Sequence, residues 1–512
     1  MTAVTRLGSA LGVAAAVAIA ACSRPAPVTV PPTQVQTTGG TLVGRTLDSG
    51  VKAWLGVPYA KPPVRELRWK EAQDTTWKGT WNADRKMPEC IQVLRPHNIN
   101  HYFGEEATSE DCLYMNVWAP PDATATSKLP VIVFIYGGGG TVGSSGMSNY
   151  DGEQVAKRGA VFVNFNYRVG ILGFMAHPEL TAEQGGHSGN YGYMDQTAAL
   201  AWIQKNIAAF GGDPAQVIIS GQSAGAGSVA QQIFSPKAKG LFRGAAMFSA
   251  CNYTGSNMPM ADGEATGLEV QKLLEAANLD EMRQVPADKI LAIQNEFQLG
   301  RAVAGVRTSG VIDGYFMPGT KAAILEAHGV ADVPIIASSM HDEANSPLKA
   351  TKTVAEFKAK ATELYKGDAA AFLALYPVTS DADVRAVAQE AANDAAGLMS
   401  SRTCGALQAQ YNKSATYITQ FSRVHPYVPG VKIADQDPAT IGAYHTGEIP
   451  YYFGTQDAYN LFRPTRNWTD DDRSLSLKLT AALIAFAKTG NPSAGDVTWP
   501  AWKDGEEKYI EF

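Results

Sequence analysis

The feature that most constrains the fold of this 512-residue chain is a serine between two glycines, GQSAG at 221–225. It follows an apolar run, VIIS at 217–220, and precedes a stretch rich in alanine and glutamine. A serine at such a strand-to-helix turn is typical of a nucleophile elbow. Backbone crowds backbone in this strained turn, which explains the glycines, and the dipole of the following helix favours negative charge. The sequence therefore predicts that Ser223 is a nucleophile.

Short apolar runs alternate with helical stretches from residue 40 onward. This alternation predicts an α/β fold in which a large, mostly parallel sheet is covered by helices on both faces. Two long helical zones, 262–300 and 353–412, are expected over the carboxyl edge of the sheet as lids or pocket walls, with inert insertions as the alternative. The predicted strands are 131–136, 161–167, 217–220, 333–338 and 415–421, and a helix is predicted at 195–210.

The first 22 residues are predicted to be an export signal rather than part of the fold. Arg6 supplies a short positive region, and the apolar stretch 7–21 is too short to cross a bilayer. This stretch ends at Cys22 in a pattern that resembles the lipobox of bacterial lipoproteins, in which the cysteine is lipidated. Ordinary signal cleavage after Ala20 is the alternative.

The segment that follows the signal is rich in proline and lacks an apolar pattern. Residues 23–36 are therefore predicted to be an extended tether, and 37–512 a single folded domain. An exported chain of this kind is expected in the periplasm or at the cell surface. If Cys22 is lipidated, Ser23 after it favours delivery to the outer membrane by the usual bacterial sorting pattern.

Charge and motif content exclude several classes of partner. The formal net charge of −6 argues against a nucleic-acid partner, which would require a basic surface. Membrane contact is expected only through the N-terminal lipid. Because no metal-ligand spacing such as H-E-x-x-H occurs, neither a metal nor an organic cofactor is expected.

The five cysteines gain meaning from export. If Cys22 carries lipid, four remain in an oxidising compartment, and four cysteines allow three pairings. Cys90 and Cys112 would close a short local loop, which leaves Cys251 and Cys404 for each other. The alternative is that these last two are buried free thiols.

A run of four glycines, 137–140, follows the predicted strand 131–136. Backbone N–H groups in such a segment, together with the N–H of Ala224, can stabilise the charge that develops on a carbonyl oxygen during attack by a serine. Loss of one such donor costs on the order of a hundredfold in rate. A flexible turn is the alternative interpretation of the run.

Several longer segments resemble the type-B carboxylesterase and lipase family, which includes the cholinesterases. The resemblance extends from residue 40 to about 502, and it implies the α/β-hydrolase fold and the hydrolysis of carboxylic esters. The matching segments are GVPYAKPP (56–63), SEDCLYMNVW (109–118), FIYGGGG (134–140), NYRVGILGF (166–174), GNYGYMDQ (189–196), IAAFGGDPAQVIISGQSAGA (207–226), AYHTGEIPYYFG (443–454), FAKTGNPS (486–493) and WPAW (499–502).

This resemblance also implies the roles of individual residues. The family uses a Ser-Glu-His triad in that chain order, which assigns Ser223 as nucleophile, Glu343 in the HDEAN segment as acid and His445 as base. Asp342 is the rival for the acid. The other seven histidines are expected to be surface or satisfied polar residues: His97, His101, His177, His187, His328, His341 and His425.

The implied mechanism is a two-step acyl transfer that needs no cofactor. By resemblance, Gly138, Gly139 and Ala224 are the oxyanion donors.

The resemblance also bears on the cysteines. The SEDC segment matches the first disulfide of the family, so a Cys90–Cys112 bond is implied. Cys404 matches a position that in cholinesterases pairs with a different cysteine. We therefore treat a Cys251–Cys404 pair as a hypothesis.

The chain departs from its family at positions that affect substrate choice. Gln222 replaces a glutamate often found before the nucleophile, and Gly140 replaces an aromatic residue. Cholinesterases stack choline on a tryptophan within the first disulfide loop, whereas 90–112 contains no tryptophan. A small to medium ester that is uncharged or acidic is therefore expected. Arg95 would favour the acidic one, with a solvated loop arginine as the alternative. The alternatives are a lipase or sterol esterase and, in another class, a non-catalytic adhesion-type binding module.

Overall fold

A twelve-stranded sheet organises the computed structural model. The sheet order is β1-β2-β3-β5-β7-β6-β8-β9-β10-β11-β12, and β4 pairs with β2 outside this path. Its strands are β1 Thr33–Gln36, β2 Thr41–Thr46, β3 Lys52–Pro58, β4 Thr80–Asn82, β5 Tyr114–Ala119, β6 Leu129–Ile135, β7 Val161–Phe165, β8 Gly212–Gln222, β9 Gly244–Phe248, β10 Ile335–Met340, β11 Thr416–Phe421 and β12 Ile510–Glu511.

The structure describes residues 33–96, 98–100, 107–294, 296–298, 301–303, 305–503, 505–506 and 508–512. The predicted export signal with Cys22, most of the predicted tether, and His97 and His101 lie outside the described residues.

The sheet is antiparallel from β1 to β7 along its path and parallel from β7 to β12. Every residue of β7, β9, β10 and β11 is buried. Because successive side chains of a strand point to opposite faces, complete burial means that both faces of the sheet are covered. The sequence prediction of a large, mostly parallel sheet in an α/β fold is confirmed.

The chain reverses its direction of progress across the sheet at β6. After β6 the chain proceeds to β7 on one side, and it then crosses to β8 on the other side of β6. Open α/β sheets bind their ligands at such a switch point, beyond the carboxyl ends of the strands. The glycine run follows β6 and Ser223 follows β8, so both features lie at this point.

Fifteen α-helices connect and cover the strands within the described residues. They are α1 Glu153–Ala156, α2 Gly170–Phe174, α3 Pro178–Glu183, α4 Tyr191–Asn206, α5 Ala224–Phe234, α6 Met260–Leu273, α7 Leu279–Gln284, α8 Ala287–Ala292, α9 Lys321–Glu326, α10 Val354–Tyr365, α11 Ala369–Leu375, α12 Val384–Ala392, α13 Met399–Tyr411, α14 Ile449–Phe453 and α15 Asp470–Thr489.

One predicted boundary is wrong. Residues 33–36, assigned above to the tether, form β1, which pairs antiparallel with β2 from Thr33 opposite Gly44 to Gln36 opposite Thr41. The sequence TQVQ has a single apolar side chain, Val35, which packs against the core. Backbone hydrogen bonds to β2 hold this edge strand, so few of its side chains need to be apolar. The apolar pattern of residues 33–36 was therefore too weak to indicate a strand.

The two helical zones pack differently. Helices α10, α11 and α12 enclose an apolar cluster of their own, which includes Phe357, Phe372 and Val384. Helix α6 instead packs closely on the segment before α3, since a Cβ on Gly267 would lie 1.9 Å from the carbonyl oxygen of Ala176.

Candidate active site

Ser223 lies between β8 and α5 in a backbone conformation that residues with a side chain rarely adopt, with φ 58° and ψ −123°. Its N–H donates to the carbonyl oxygen of Phe248 in β9 at 2.9 Å, and its carbonyl accepts from the N–H of Gly227 at 3.0 Å. Strain of this kind persists only where the surrounding structure fixes it, and it is concentrated at functional sites. The turn thus has the geometry predicted for a nucleophile elbow.

The two glycines that flank this serine leave room for close backbone contacts. A Cβ on Gly221 would lie 2.3 Å from the carbonyl oxygen of Gly225, and one on Gly225 would lie 2.1 Å from the carbonyl oxygen of Ile135. Both distances are far shorter than non-bonded atoms allow. Glycine at both positions therefore lets α5 begin directly against β6 and β8.

The glycine run after β6 packs directly against the nucleophile turn. A Cβ on Gly137 would lie 2.4 Å from the carbonyl oxygen of Gln222 and 3.0 Å from the Cβ of Ser223. Gly138 and Gly139 follow with φ of 113° and 65°, which favour glycine. The run is thus a tight turn against Ser223, and it lines the same cavity as that residue.

His445 and Glu343 form a close pair on this cavity. The Nδ1–H of His445 donates to Oε2 of Glu343 at 2.6 Å, and Oε1 of Glu343 accepts from the N–H of Met340 at 2.8 Å. Burial alone would lower the pKa of His445, but the hydrogen bond and negative charge of Glu343 raise it above its ordinary value. The donated Nδ1 proton leaves Nε2 of the neutral imidazole as an acceptor.

Asp342, the rival for the acid, points elsewhere. Its carboxylate accepts from the N–H of Ala443 at 2.7 Å and pairs with Nδ1 of His341 at 3.1 Å. His341 also contacts the carboxylate of Glu390. The hydrogen bond that His341 donates to Asp342, together with the negative charges of Asp342 and Glu390, raises the pKa of His341 to about 9. The structure thus pairs Glu343, not Asp342, with His445.

The remaining described histidines are engaged elsewhere. His177 is buried and forms a hydrogen bond with the side chain of Gln271, and His328 forms one with the carbonyl oxygen of Tyr411. His187 stacks on the ring of Tyr315, and His425 is buried beneath the His445 turn.

Gln222 contacts the free nitrogen of the imidazole. Its Nε2 lies 3.3 Å from Nε2 of His445, and its side chain is buried. Because Nδ1 carries the imidazole proton, the amide N–H₂ of Gln222 is the donor in this contact. A neutral group therefore occupies the place next to His445 where the family often has a carboxylate.

Glu448, to which no sequence motif assigned a role, is fully buried behind the pair. Its Oε1 accepts from the hydroxyl of Ser249 at 2.8 Å, and its Oε2 has no hydrogen-bond partner among the described residues. Burial raises the pKa of Glu448 to about 7, and the charge of Glu343 adds to the shift. Its place one helical turn after His445 in the sequence was the available signal, but burial of the carboxyl could not be derived from it.

A cavity of about 850 Å³ opens over these residues. Four serines line its wall, Ser338, Ser339, Ser400 and Ser401, and the wall carries the charges of Arg95, Lys349, Asp342 and Asp435. The zone 353–412 contributes Ala396, Gly397, Ser400 and Ser401 to this wall, as predicted. No described residue of the zone 262–300 lines the cavity, so the expectation that this zone covers the site is wrong for its described part.

Two disulfides flank the site. Cys90 is joined to Cys112 with Cα atoms 5.0 Å apart, and Cys251 to Cys404 with Cα atoms 6.2 Å apart. Cys251 itself lines the cavity, and its carbonyl accepts from the hydroxyl of Ser400 at 3.2 Å. The second disulfide therefore joins the middle of α13 to the loop after β9, and the Ser400 bond holds the start of the helix to the same loop.

The described part of the chain contains neither a candidate metal site nor a candidate membrane-spanning helix. It contains no group of three or more His, Cys, Asp or Glu side chains that could hold a metal ion. Nor does any helix within it have the length and apolar character needed to cross a membrane.

Comparison with known sequences gives one consistent result. Residues 31–512 match the model of the carboxylesterase family. The chain is 34% identical over 470 residues to fumonisin B1 esterase of Sphingopyxis macrogoltabida, covering 89% of this chain and 82% of that protein. It is 31% identical to para-nitrobenzyl esterase of Bacillus subtilis (strain 168) over 92% of this chain and 93% of that protein.

Solved structures give the same result. A PNB esterase superposes with a TM-score of 0.72 at 29% identity, over 92% of this chain and 94% of that one. A thermophilic PNB esterase superposes with a TM-score of 0.71 at 30% identity and the same coverage.

Proposed function

Because the chain belongs to the carboxylesterase family and is a carboxylesterase, we propose that it hydrolyses its ester through an acyl-enzyme on Ser223. His445 acts as the general base and acid, and Glu343 orients the imidazole. One observation carries this proposal: the strained Ser223 turn and the Glu343–His445 pair line the same cavity. Within the pair, Nδ1 of His445 lies 2.6 Å from Oε2 of Glu343.

The mechanism follows from the groups available. Nε2 of His445 takes the hydroxyl proton of Ser223 as its oxygen attacks the ester carbonyl, and Glu343 stabilises the imidazolium that forms. The N–H groups of Gly138, Gly139 and Ala224 stabilise the oxyanion. The tetrahedral intermediate collapses as His445 returns the proton to the leaving alcohol, and water then cleaves the acyl-enzyme by the same route.

Covalent labelling tests this proposal. A fluorophosphonate probe is expected to label the full chain once, and Ser223→Ala is expected to abolish both labelling and hydrolysis, with a loss of roughly 10⁴-fold or more in kcat. Ser400→Ala, which removes another hydroxyl of the cavity wall, is the matched control and is expected to label normally. Labelling or hydrolysis that survives in Ser223→Ala contradicts the proposal, and a wild-type chain that neither labels nor hydrolyses esters supports a binding module.

The substrate we propose is a small to medium ester that is uncharged or acidic. The cavity has room for such a substrate, and the group beside His445 is the neutral Gln222. Lys349 on the cavity wall donates to the carbonyl oxygens of Ala344 and Asp342, and it places a positive charge on a wall that also carries the carboxylates of Asp342 and Asp435. Arg95 adds a second positive charge to the wall. One relative is named a para-nitrobenzyl esterase, and the para-nitrobenzyl group is that of an uncharged alcohol.

A matched ester series tests this substrate class. Butyrate esters of an uncharged alcohol and of choline are compared with an ester whose acyl chain ends in a carboxylate. We expect kcat/KM for the choline ester to be the lowest of the three. We also expect Lys349→Gln to lower the ratio of kcat/KM for the acidic ester to kcat/KM for the uncharged ester about threefold or more. Lys352→Gln, which changes a lysine away from the cavity, is the control. Comparable kcat/KM values for choline and uncharged esters would refute the proposed class.

A further inference from the structure

His425 is a buried histidine that the proposed mechanism does not use. Only 3% of its surface is exposed, and its ring lies in a box of aromatic side chains. The centroid of the His425 ring lies 4.9 Å from the ring centroids of Trp468 and Tyr444, 5.7 Å from those of Tyr451 and Tyr459, and 6.3 Å from that of Tyr427.

Both ring nitrogens of His425 bond to the short turn that carries His445. Nε2 lies 2.7 Å from the carbonyl oxygen of Gly447, so Nε2 is the protonated donor. Nδ1 is then the acceptor, and the hydroxyl of Tyr444 donates to it at 3.1 Å. One imidazole thus spans residues 444 and 447 and holds the turn on both sides of His445.

The box keeps this imidazole neutral. Burial and the positive charge of Arg466 lower the pKa of His425 to about 3. Arg466 also donates to the hydroxyl oxygen of Tyr444 at 3.4 Å, which leaves the Tyr444 proton for His425. The charged and titratable groups around the ring are Arg466, Arg423, Asp472, Tyr427, Tyr444, Tyr451 and Tyr459.

The turn needs external support. Thr446 has φ 79°, a conformation that costs a β-branched residue free energy, and its hydroxyl has no partner among the described residues. Within the turn, the N–H of Gly447 donates to the carbonyl of Tyr444 at 2.9 Å. His425 adds the two side-chain bonds that hold the ends of this strained turn in place.

We infer that His425 is a positioning residue, a neutral clamp that fixes the Tyr444–Gly447 turn and thereby the direction of the His445 imidazole toward Glu343 and Ser223. The inference rests on the proposed role of His445 as base. A displacement of about 1 Å at a catalytic group can cost on the order of a hundredfold in rate, so a clamp that acts through the turn affects kcat without touching substrate.

A double-mutant cycle tests the clamp. His425→Gln and Tyr444→Phe each remove the bond between the Tyr444 hydroxyl and Nδ1, the first from one side and the second from the other. Each is expected to lower kcat about tenfold per active site titrated with the fluorophosphonate, with KM within about twofold of wild type. Because His425→Gln also disturbs the bond to Gly447, the double variant is expected to lose little more than His425→Gln alone.

The pH profile separates positioning from stability. A His445 held less firmly against Glu343 loses part of the interaction that raises its pKa, so the acid limb of kcat/KM moves to lower pH in both variants. Tyr427→Phe removes a hydroxyl of the same box that bonds Asn100, not the turn, and it should leave kcat and the acid limb unchanged.

The outcomes are distinct. Wild-type kcat per titrated site and an unmoved acid limb in His425→Gln and Tyr444→Phe overturn the clamp, and so does an equal loss of kcat in Tyr427→Phe. Full hydrolysis by Ser223→Ala is a separate result, which overturns the proposed function itself.

Discussion

At the scale of single residues, two buried side chains set the charge around His445. Gln222 meets Nε2 with an amide, and Glu448 lies behind the imidazole with a carboxyl. The neutral amide can donate to the free base but offers the imidazolium no counter-charge on that side. The Glu448 carboxyl raises the pKa of His445 when it is ionised. Together these groups tune the pH at which the base becomes active.

Gln222→Glu is expected to shift this pH upward. A carboxylate 3–4 Å from Nε2 stabilises the imidazolium, so the pKa of His445 rises by about one unit or more. Hydrolysis requires the neutral base, and the acid limb of kcat/KM therefore moves to higher pH by the same amount. The measurement is the pH profile of an uncharged ester. Gln222→Ala adds no charge and should not move the limb upward; an acid limb that stays in place in Gln222→Glu contradicts this account.

Glu448→Gln is expected to change the pH dependence of stability. The carboxyl has an ordinary pKa of 4.5 when unfolded and about 7 when folded. Folding therefore favours the protonated form, and the free energy of unfolding of the wild type falls as the pH rises from 4.5 to 7. This loss is roughly 3 kcal/mol. The glutamine variant keeps an acceptor for Ser249 and escapes the loss.

Denaturant unfolding at pH 4.5 and pH 8 measures the effect. The stability of Glu448→Gln relative to wild type is expected to increase between these two values by up to the same roughly 3 kcal/mol. A difference between the two proteins that is constant with pH would show that Glu448 is ionised in the folded protein at both values.

At this scale the sequence assigns a role only to residues that lie in a motif. Ser223, Glu343 and His445 were assigned from short segments, and the structure brings all three to one cavity. The sequence could not show that Glu343 pairs with His445 and Asp342 with His341, because the two adjacent carboxylates differ only in the direction in which their side chains point. Burial of His425 and Glu448 arises from elements distant in the sequence, and no local pattern indicates it.

At the scale of elements, the elbow and the glycine run form one packed unit at the switch point of the sheet. Gly225 at the start of α5 lies against the carbonyl of Ile135 at the end of β6, and Gly137 lies against Gln222. These contacts couple the position of α5 to the position of the predicted oxyanion donors. A side chain added at this junction should therefore affect the nucleophile and the donors together.

Alanine substitution of two glycines in α5 tests this coupling. Gly225→Ala places a Cβ 2.1 Å from the carbonyl oxygen of Ile135, and we expect a loss of at least about 3 kcal/mol in unfolding free energy together with hydrolysis. Gly227→Ala, two residues along the same helix, meets nothing within 4 Å. It is expected to be fully active and about 0.5–1 kcal/mol more stable. Thermal unfolding and kcat of both variants decide; an active Gly225→Ala would be inconsistent with the packing.

Elements were predictable where apolar runs are long. The strands at 161–167 and 415–421 correspond to β7 and β11, which are completely buried and consist mostly of β-branched and aromatic residues. The edge strand β1 was assigned to the tether because its residues carry almost no apolar signal. Which of the two helical zones lines the cavity could not be derived, since helical periodicity gives a face but not the partner of that face.

At the scale of the whole molecule, the cavity is closed by segments that are far apart in the sequence. The turns that carry Ser223, Glu343 and His445 come from the ends of β8 and β10 and from the segment after β11, and the wall adds the start of α13. The Cys251–Cys404 bond spans 153 residues and joins the loop after β9 to α13, whereas Cys90–Cys112 spans only 22.

Removal of the two disulfides is therefore expected to have unequal effects. In the chain-entropy account, a cross-link stabilises the fold more when it closes a longer loop, and the estimates are about 5 kcal/mol for the long loop and about 3 kcal/mol for the short one. The comparison is between Cys251→Ala/Cys404→Ala and Cys90→Ala/Cys112→Ala, each measured by denaturant unfolding. Because Cys251 lines the cavity, only the first pair should also lower kcat at temperatures where both proteins remain folded. Peptide mapping without reduction confirms which bonds are present, and recovery of both Cys251 and Cys404 as alkylated thiols from the native protein would remove the basis for the larger effect.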